Sequence, residues 1–185
     1  GIVPAIGHSE ASYQSVHNAV ENGAKIVTHI FNATGCADEK NAYLGTRNMN
    51  FDEACMLETG LYYEVINDSK GVHVRHEMIR LLEKTVGKDR IVAISDCCGD
   101  IQEGNEDVNF QNGEIAGSRM TMRNAARNFL AIGYSLIDVF NFTSYNPSKA
   151  IHMENKVGSL SEGRLANILI TDDLLHSAKI FVPGQ

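Results

Sequence analysis

Two histidines and one aspartate follow short apolar segments of the sequence. His8 comes after residues 2–6, His29 comes after residues 26–28, and Asp96 ends a third apolar run. Such runs predict buried strands, and the carboxyl ends of successive parallel strands converge on one mouth of an α/β barrel. Neutral imidazole binds borderline divalent ions such as zinc well. The pattern therefore favours a metal site made by His8 and His29, with Asp96 beside it.

The same three side chains also have a purely structural interpretation. A histidine at a strand end can be buried and hydrogen-bonded to backbone, and an aspartate commonly caps a loop. In a catalytic interpretation, Asp96 would take a proton from the attacking water and return it to a leaving amine. Spacing alone leaves both interpretations open.

Four further residues could contact a substrate. His73 follows another predicted strand and could donate a hydrogen bond to a substrate oxygen. Asn32 and Ala33 offer a side-chain amide and backbone N–H groups, which suit an oxyanion or a phosphate. Lys40, in the same loop, could add positive charge. The simpler alternatives are an ordinary loop histidine and a solvated lysine.

Composition excludes several classes of function. The chain has 185 residues and a formal net charge of −7, with 43% hydrophobic and 21% charged residues. The negative charge argues against a nucleic-acid or phospholipid surface, although a few local donors could still bind one anion. No apolar stretch reaches the roughly 18 residues of a membrane span. The spacing of the four cysteines is not that of a disulfide scaffold, which favours reduced thiols and a cytoplasmic protein.

Apolar periodicity predicts alternating strands and helices in the first half of the chain. The expected elements after the opening strand are helix 9–22, strand 26–31, helix 51–59, strand 61–66, helix 75–86 and strand 90–95. This alternation is typical of βαβ units and a parallel sheet. Ser9 is the expected N-cap of the first of these helices, and Gly23 its C′ residue. The buried stripe of the third helix is expected to be Met78, Leu81, Leu82 and Val86.

The alternation ends after residue 98. Residues 99–118 predict a loop or short hairpin, and Pro147 suits a first helical position. The remaining expected elements are helices 119–132 and 135–142, a turn feeding a strand within 158–170, and a final strand at 178–182.

Several short strings occur in an order that is specific to one family. They are Gly7-His8-Ser9, Thr28-His29-Ile30-Phe31-Asn32-Ala33, Gly71-Val72-His73-Val74, Ser95-Asp96 and Ala116-Gly117-Ser118-Arg119-Met120-Thr121-Met122. Together they closely resemble the N-acetylglucosamine-6-phosphate deacetylases of the amidohydrolase superfamily. Residues 146–150 and 158–163 resemble closing segments of the same family, so the likeness runs along nearly the whole chain.

The resemblance implies a metal-dependent (β/α)₈ barrel and a small β-sandwich. It implies hydrolysis of the N-acetyl group of N-acetylglucosamine 6-phosphate to glucosamine 6-phosphate and acetate. His8 and His29 would hold a divalent ion, zinc or iron, and Asp96 would be the general base and acid. The implied substrate-binding residues are Asn32, Ala33, Lys40, His73, Ile115, Ala116 and Gly117.

The chain also departs from the family pattern. The family's further metal ligand, a glutamate on an earlier strand, has no counterpart, and Lys40 stands where the phosphate-binding arginine is usual. Residues 1–156 are expected to form about four βα units of the barrel, and residues 157–185 strands of the small β domain. Four strands cannot close a barrel, so we expect a truncated chain that remains an open half-barrel or forms a homodimer through its open edge. Alternative functions are an amidohydrolase of another amide and a non-catalytic assembly module.

Overall fold

Four parallel strands form the main sheet of the computed structural model, which describes residues 1–37, 43–99 and 107–182. They lie in the order β1 (Ala5–Ile6), β2 (Ile26–Val27), β3 (Tyr62–Ile66) and β4 (Ile91–Ile94). The connecting helices are α1 (Tyr13–Glu21), α2 (Phe51–Leu57) and α3 (His76–Val86). The predicted alternation and parallel pairing are therefore confirmed.

Several element boundaries differ from the prediction: α2 ends at Leu57 rather than at residue 59, and the helix expected from residue 119 begins at Met122, since the Thr121 hydroxyl accepts its capping bond. Two further differences follow from local backbone geometry and capping. β2 ends at Val27 rather than at residue 31, since His29 and Phe31 have φ angles of 26° and 67°, which extended strands do not adopt. Helix α1 begins at Tyr13, because the hydroxyl of Ser12, not Ser9, accepts the hydrogen bond that caps the helix.

The core lies between the sheet and its helices. Tyr63 and Val65 of β3 are fully buried, and the Tyr63 hydroxyl donates to the carbonyl of Cys55 in α2 at 2.7 Å. Helix α3 buries Ile79, Leu82 and Val86, while Leu81 is 45% exposed, so the prediction for Leu81 is wrong. The buried set follows the i, i+3, i+7 spacing of one helix face, and Leu81 falls outside it.

The second half of the described chain begins with a hairpin and continues with helices. The hairpin strands are β5 (Val108–Gln111) and β6 (Glu114–Ser118), followed by α4 (Met122–Ala131), α5 (Leu136–Phe140) and α6 (Asn146–Ala150). A π-helical turn, Asn141–Tyr145, joins α5 to α6, so the helical path extends beyond the predicted residue 142. Pro147 is the second residue of α6, so this helix begins one residue before the predicted start.

A separate two-stranded sheet lies near the end of the chain. β7 (Ile168–Thr171) and β8 (Ala178–Phe181) pair antiparallel, which confirms both predicted strands. The domain boundary between residues 156 and 157 stays a prediction. No helix in the described ranges combines the length and apolar character needed to cross a membrane.

Candidate metal and catalytic site

His8 and His29 meet at the carboxyl ends of β1 and β2. The register pairs Ile6 with Val27, so each histidine lies two residues beyond a paired position. Their Nε2 atoms are 3.0 Å apart, and the rings meet edge to face with centroids 4.4 Å apart. His29 is 5% exposed, whereas His8 is exposed. The structure therefore brings together the two predicted ligands.

The two imidazoles are suited to binding one divalent ion. Zinc–nitrogen bonds of about 2.0–2.1 Å place two ligand nitrogens roughly 3 to 3.4 Å apart, which is close to the separation seen here. Nδ1 of His29 lies 3.1 Å from the carbonyl oxygen of Asn32. A carbonyl only accepts, so Nδ1 carries the proton and Nε2 keeps its lone pair. Within the described ranges, no group of three or more His, Cys, Asp or Glu side chains is arranged to hold an ion.

The turn after His29 is held by a buried aspartate that sequence reasoning missed. Phe31 and Ala33 have positive φ angles of 67° and 51°. Asp52 of α2 is 5% exposed; its Oδ1 accepts from the Phe31 N–H at 3.1 Å and its Oδ2 from the Thr34 hydroxyl at 2.6 Å. The available sequence signal was weak: an acidic residue between Phe51 and Ala54, both of which are buried.

Asp96 is exposed at the end of β4, and the hairpin holds its backbone. Its carbonyl accepts from the Ser118 N–H at 2.7 Å, and the Ser118 hydroxyl donates to the carbonyl of Ser95. Asp96 has φ 48°, and Gly117 has φ 71°. A Cβ on Gly117 would lie 2.8 Å from the Asp96 carbonyl oxygen. The close approach of β6 to Asp96 therefore requires glycine.

Glu64 is a second acidic residue near His29, also missed from the sequence. Strand alternation places it on the sheet face opposite Tyr63. Burial raises the pKa of the Glu64 carboxyl; the backbone N–H and ring of His29 oppose that rise, and the charge of Asp96 adds to it. Glu64 therefore lies within electrostatic reach of both predicted site residues. The alternation around Tyr63 and Val65 was the signal that could have found it.

His73 forms a fully buried pair with Asp68. Nδ1 of His73 lies 3.1 Å from Oδ2 of Asp68, and neither side chain is exposed. Nε2 lies 3.1 Å from the carbonyl oxygen of Gly117. Each ring nitrogen of His73 therefore faces a group that can accept a hydrogen bond. The nitrogen expected to reach a substrate oxygen thus bonds to the hairpin in this structure.

Asp68 is strongly acidic despite its burial. Burial alone would raise its pKa, but hydrogen bonds from the His73 ring and from the N–H groups of Val72, His73 and Lys70 outweigh it and lower the pKa to about 2. The carboxylate therefore stays ionised beside the His73 ring.

Two other predicted substrate residues, Asn32 and Gly117, contact His73. The Asn32 amide donates to the carbonyl of His73 at 3.2 Å, which connects the end of β2 to the loop after β3. Ile115, Ala116 and Gly117 lie on β6, where Ile115 is exposed. Lys40 lies outside the described residues. The substrate-binding roles of all these residues stay predictions.

Comparison with known proteins identifies a family. Residues 5–183 match the model of the amidohydrolase family. An N-acetylglucosamine-6-phosphate deacetylase from Lysinibacillus sphaericus is 28% identical over 95% of this chain and 47% of its own length. An N-acetylgalactosamine-6-phosphate deacetylase from Escherichia coli O157:H7 is 27% identical over 97% of this chain and 49% of its own.

Solved structures agree with the fold. An N-acetylglucosamine-6-phosphate deacetylase from Thermotoga maritima superposes with a TM-score of 0.78 at 25% identity, covering 94% of this chain and 49% of that one. A mutant of the Mycobacterium smegmatis enzyme in complex with N-acetyl-D-glucosamine-6-phosphate gives 0.77 at 27% identity, covering 95% and 48%. The chain thus spans about half the length of the relatives it matches.

Proposed function

The chain belongs to the amidohydrolase family, and we propose that it supplies part of the active site of an N-acetylglucosamine-6-phosphate deacetylase. One observation carries the proposal: His8 and His29 present Nε2 atoms 3.0 Å apart at the ends of adjacent parallel strands. Such convergence is expected of ligands at a barrel mouth. The likeness to deacetylases of phosphorylated amino sugars names the reaction.

His8 and His29 would hold a divalent ion, zinc or iron. When bound, such an ion polarises a carbonyl oxygen and increases the acidity of water. Asp96 is exposed at the end of β4, where its carboxylate would take the proton released by the attacking water and pass it to the departing amine. Products would be acetate and glucosamine 6-phosphate.

Substrate binding is assigned to the residues around the ends of β2 and β6. Asn32, Ala33 and Lys40 would hold the phosphate, and His73 would orient the acetamide. In the structure His73 donates to Gly117, so this role requires the ring to exchange that carbonyl for the substrate oxygen. Ile115, Ala116 and Gly117 would line the sugar pocket. The four free cysteines favour a reducing compartment, and we assign the protein to the cytoplasm.

One relative indicates an alternative substrate. The N-acetylgalactosamine-6-phosphate deacetylase is 27% identical, against 28% for the N-acetylglucosamine relative. The two sugars differ only in the configuration of one hydroxyl, and sequence identity does not separate them. N-acetylgalactosamine 6-phosphate is therefore the alternative substrate.

A substrate panel tests the proposal. The chain would be mixed with Zn²⁺ or Fe²⁺ and with a polypeptide supplying the other half of the relatives' length. Release of the amine would be followed for both N-acetylhexosamine 6-phosphates, for unphosphorylated N-acetylglucosamine and for a cyclic amide. Turnover of N-acetylglucosamine 6-phosphate above the others supports the proposal. Turnover of only the unphosphorylated or cyclic amides contradicts it, and the absence of turnover favours an assembly module.

A further inference from the structure

We propose that Asp52 is a positioning residue, which fixes the ring nitrogen that His29 presents to His8. It would act through the turn that follows His29, without touching substrate or metal. The inference deepens the proposed function and rests on it for its biological meaning. Its first readout, the proton position on the His29 ring, needs neither an ion nor a substrate.

The contacts of Asp52 converge on one short segment. Oδ1 accepts from the backbone N–H of Phe31, and Oδ2 accepts from the hydroxyl of Thr34, at 3.1 and 2.6 Å. These two residues flank Asn32 and Ala33. Asp52 is 5% exposed, so water competes little for these bonds. One side chain of α2 thus holds both ends of the turn.

The turn holds the ring of His29. The carbonyl of Asn32 lies 3.1 Å from Nδ1 of His29, and that carbonyl can only accept a proton. Nδ1 therefore carries the hydrogen, and the Nε2 lone pair faces His8. Nε2 of His8 must then donate across the 3.0 Å contact. If the Asn32 carbonyl were displaced, the His29 ring could carry its proton on either nitrogen.

The turn needs such external support because its backbone is unfavourable by itself. Phe31 and Ala33 have φ angles of 67° and 51°, in the region that residues with a Cβ rarely adopt. Conformations of this kind persist where surrounding contacts over-determine them. The neighbouring Glu53 is engaged elsewhere: it accepts from Arg47 and from the N–H of Asn50. Asp52 is therefore the acidic residue of α2 that serves the turn.

The test compares isosteric variants of the intact chain. Asp52→Asn keeps the shape of the side chain but can retain only one of the two accepted bonds. Thr34→Val removes the hydroxyl bond alone. Asp138→Asn is the matched control, because Asp138, like Asp52, lies in the first turn of a helix. Among the described residues, Asp138 contacts Ser135 and Lys88 and makes no bond to the His29 turn.

Two measurements are made on each variant. Ring ¹⁵N shifts of His29, recorded without metal at alkaline pH, report which nitrogen carries the proton. Titration with Zn²⁺ alone reports the dissociation constant. We expect the unaltered chain and Asp138→Asn to show the Nδ1–H form. We expect Asp52→Asn to populate the Nε2–H form and to bind Zn²⁺ about ten-fold more weakly, with Thr34→Val in between.

The proposal is overturned if Asp52→Asn keeps the Nδ1–H form and binds Zn²⁺ as Asp138→Asn does. Should Asp52→Asn fail to fold, Thr34→Val decides by the same two results. If the unaltered chain binds no Zn²⁺, the proposed function fails, while the ring shifts still judge the role of Asp52.

Discussion

Gly117 illustrates how single residues set the geometry around Asp96. Two separate features of Gly117 disfavour any side chain at this position. Its φ is 71°, and a Cβ added there would lie 2.8 Å from the Asp96 carbonyl oxygen. We expect Gly117→Ala to lower the free energy of unfolding by about 2–3 kcal/mol, the sum of backbone strain and the displacement of Asp96. Urea unfolding would measure it.

Gly113 provides the control for that substitution. It has φ 85° but no atom within 4 Å of a built Cβ, so Gly113→Ala carries the backbone strain without the steric contact. We expect it to cost about 1 kcal/mol. Equal losses for both variants would show that the close approach to Asp96 contributes nothing.

Asp68 predicts a pH dependence of stability. Its pKa is about 2 in the folded chain against an ordinary 3.8, so the folded state binds fewer protons in this range. The stabilisation is complete above about pH 4 and is lost as the pH falls towards 2. The shift corresponds to roughly 2 kcal/mol for this buried carboxylate. Urea unfolding at a series of pH values would measure the loss.

Two variants identify the source of that dependence. Asp68→Asn should be less stable near neutral pH. Its free energy of unfolding should also fall less steeply below about pH 4, which is the acid limb of the stability profile. Asp89→Asn, at an exposed position, should leave the limb unchanged. An acid limb of the same steepness in Asp68→Asn and the unaltered chain would contradict the assignment.

At the scale of elements, Asn109 fastens the β5–β6 hairpin to the end of β4. Its buried amide donates to the carbonyls of Cys98 and Ser118 at 3.1 and 2.8 Å. Asn109→Ala would leave both carbonyls without that donor, at a cost of about 1–3 kcal/mol.

Hydrogen exchange would localise this effect. We expect faster exchange at the N–H groups of Cys98 and Ser118 in Asn109→Ala, because both bridge the hairpin and the β4 end. In the part of the chain that the structure describes, Asn109 makes no hydrogen bond to α1, so exchange at the N–H groups of that helix is the internal control. Uniformly faster exchange along the whole chain would mean that Asn109 supports global stability alone.

Local periodicity was sufficient to predict most elements of this fold. The strand–helix alternation and the final strands follow from apolar spacing, and α3 ends at Val86 as expected. The short β2 could not be predicted, because no local sequence signal gives the positive φ of His29 and Phe31, and the Phe31 N–H bonds to Asp52 in the next helix. Likewise, no local signal distinguishes Leu81 from Ile79 before α3 is docked.

The sequence predicted the part of the site that lies at equivalent ends of neighbouring strands. His8 and His29 occupy equivalent positions after paired strands, so parallel register alone brings them together. The bond between His73 and Gly117 joins residues 44 positions apart through a hairpin whose docking the sequence does not specify. Asp52 was missed because its bond to Phe31, 21 positions away, depends on how α2 packs against the end of β2. Glu64 was missed although the alternation along β3 offered a signal for it.

At the scale of the whole molecule, β1 and β4 are the outer strands of the four-stranded sheet. Unpaired strand edges favour association with another chain. We propose that the chain, studied alone, forms a homodimer through these edges. Sedimentation equilibrium should give a dimer mass that dissociates on dilution. A monomer at every concentration would contradict this proposal.

The most direct test of the central claim is acetate release from N-acetylglucosamine 6-phosphate. The chain would be assayed with added divalent ion and with the polypeptide that supplies the remaining half of the relatives' length, alongside Asp96→Asn. The account predicts acetate and glucosamine 6-phosphate in equal amounts, and a loss of at least about a hundred-fold in Asp96→Asn. Equal rates of acetate release by the unaltered chain and by Asp96→Asn would contradict it, as would metal binding at His8 and His29 without any acetate release.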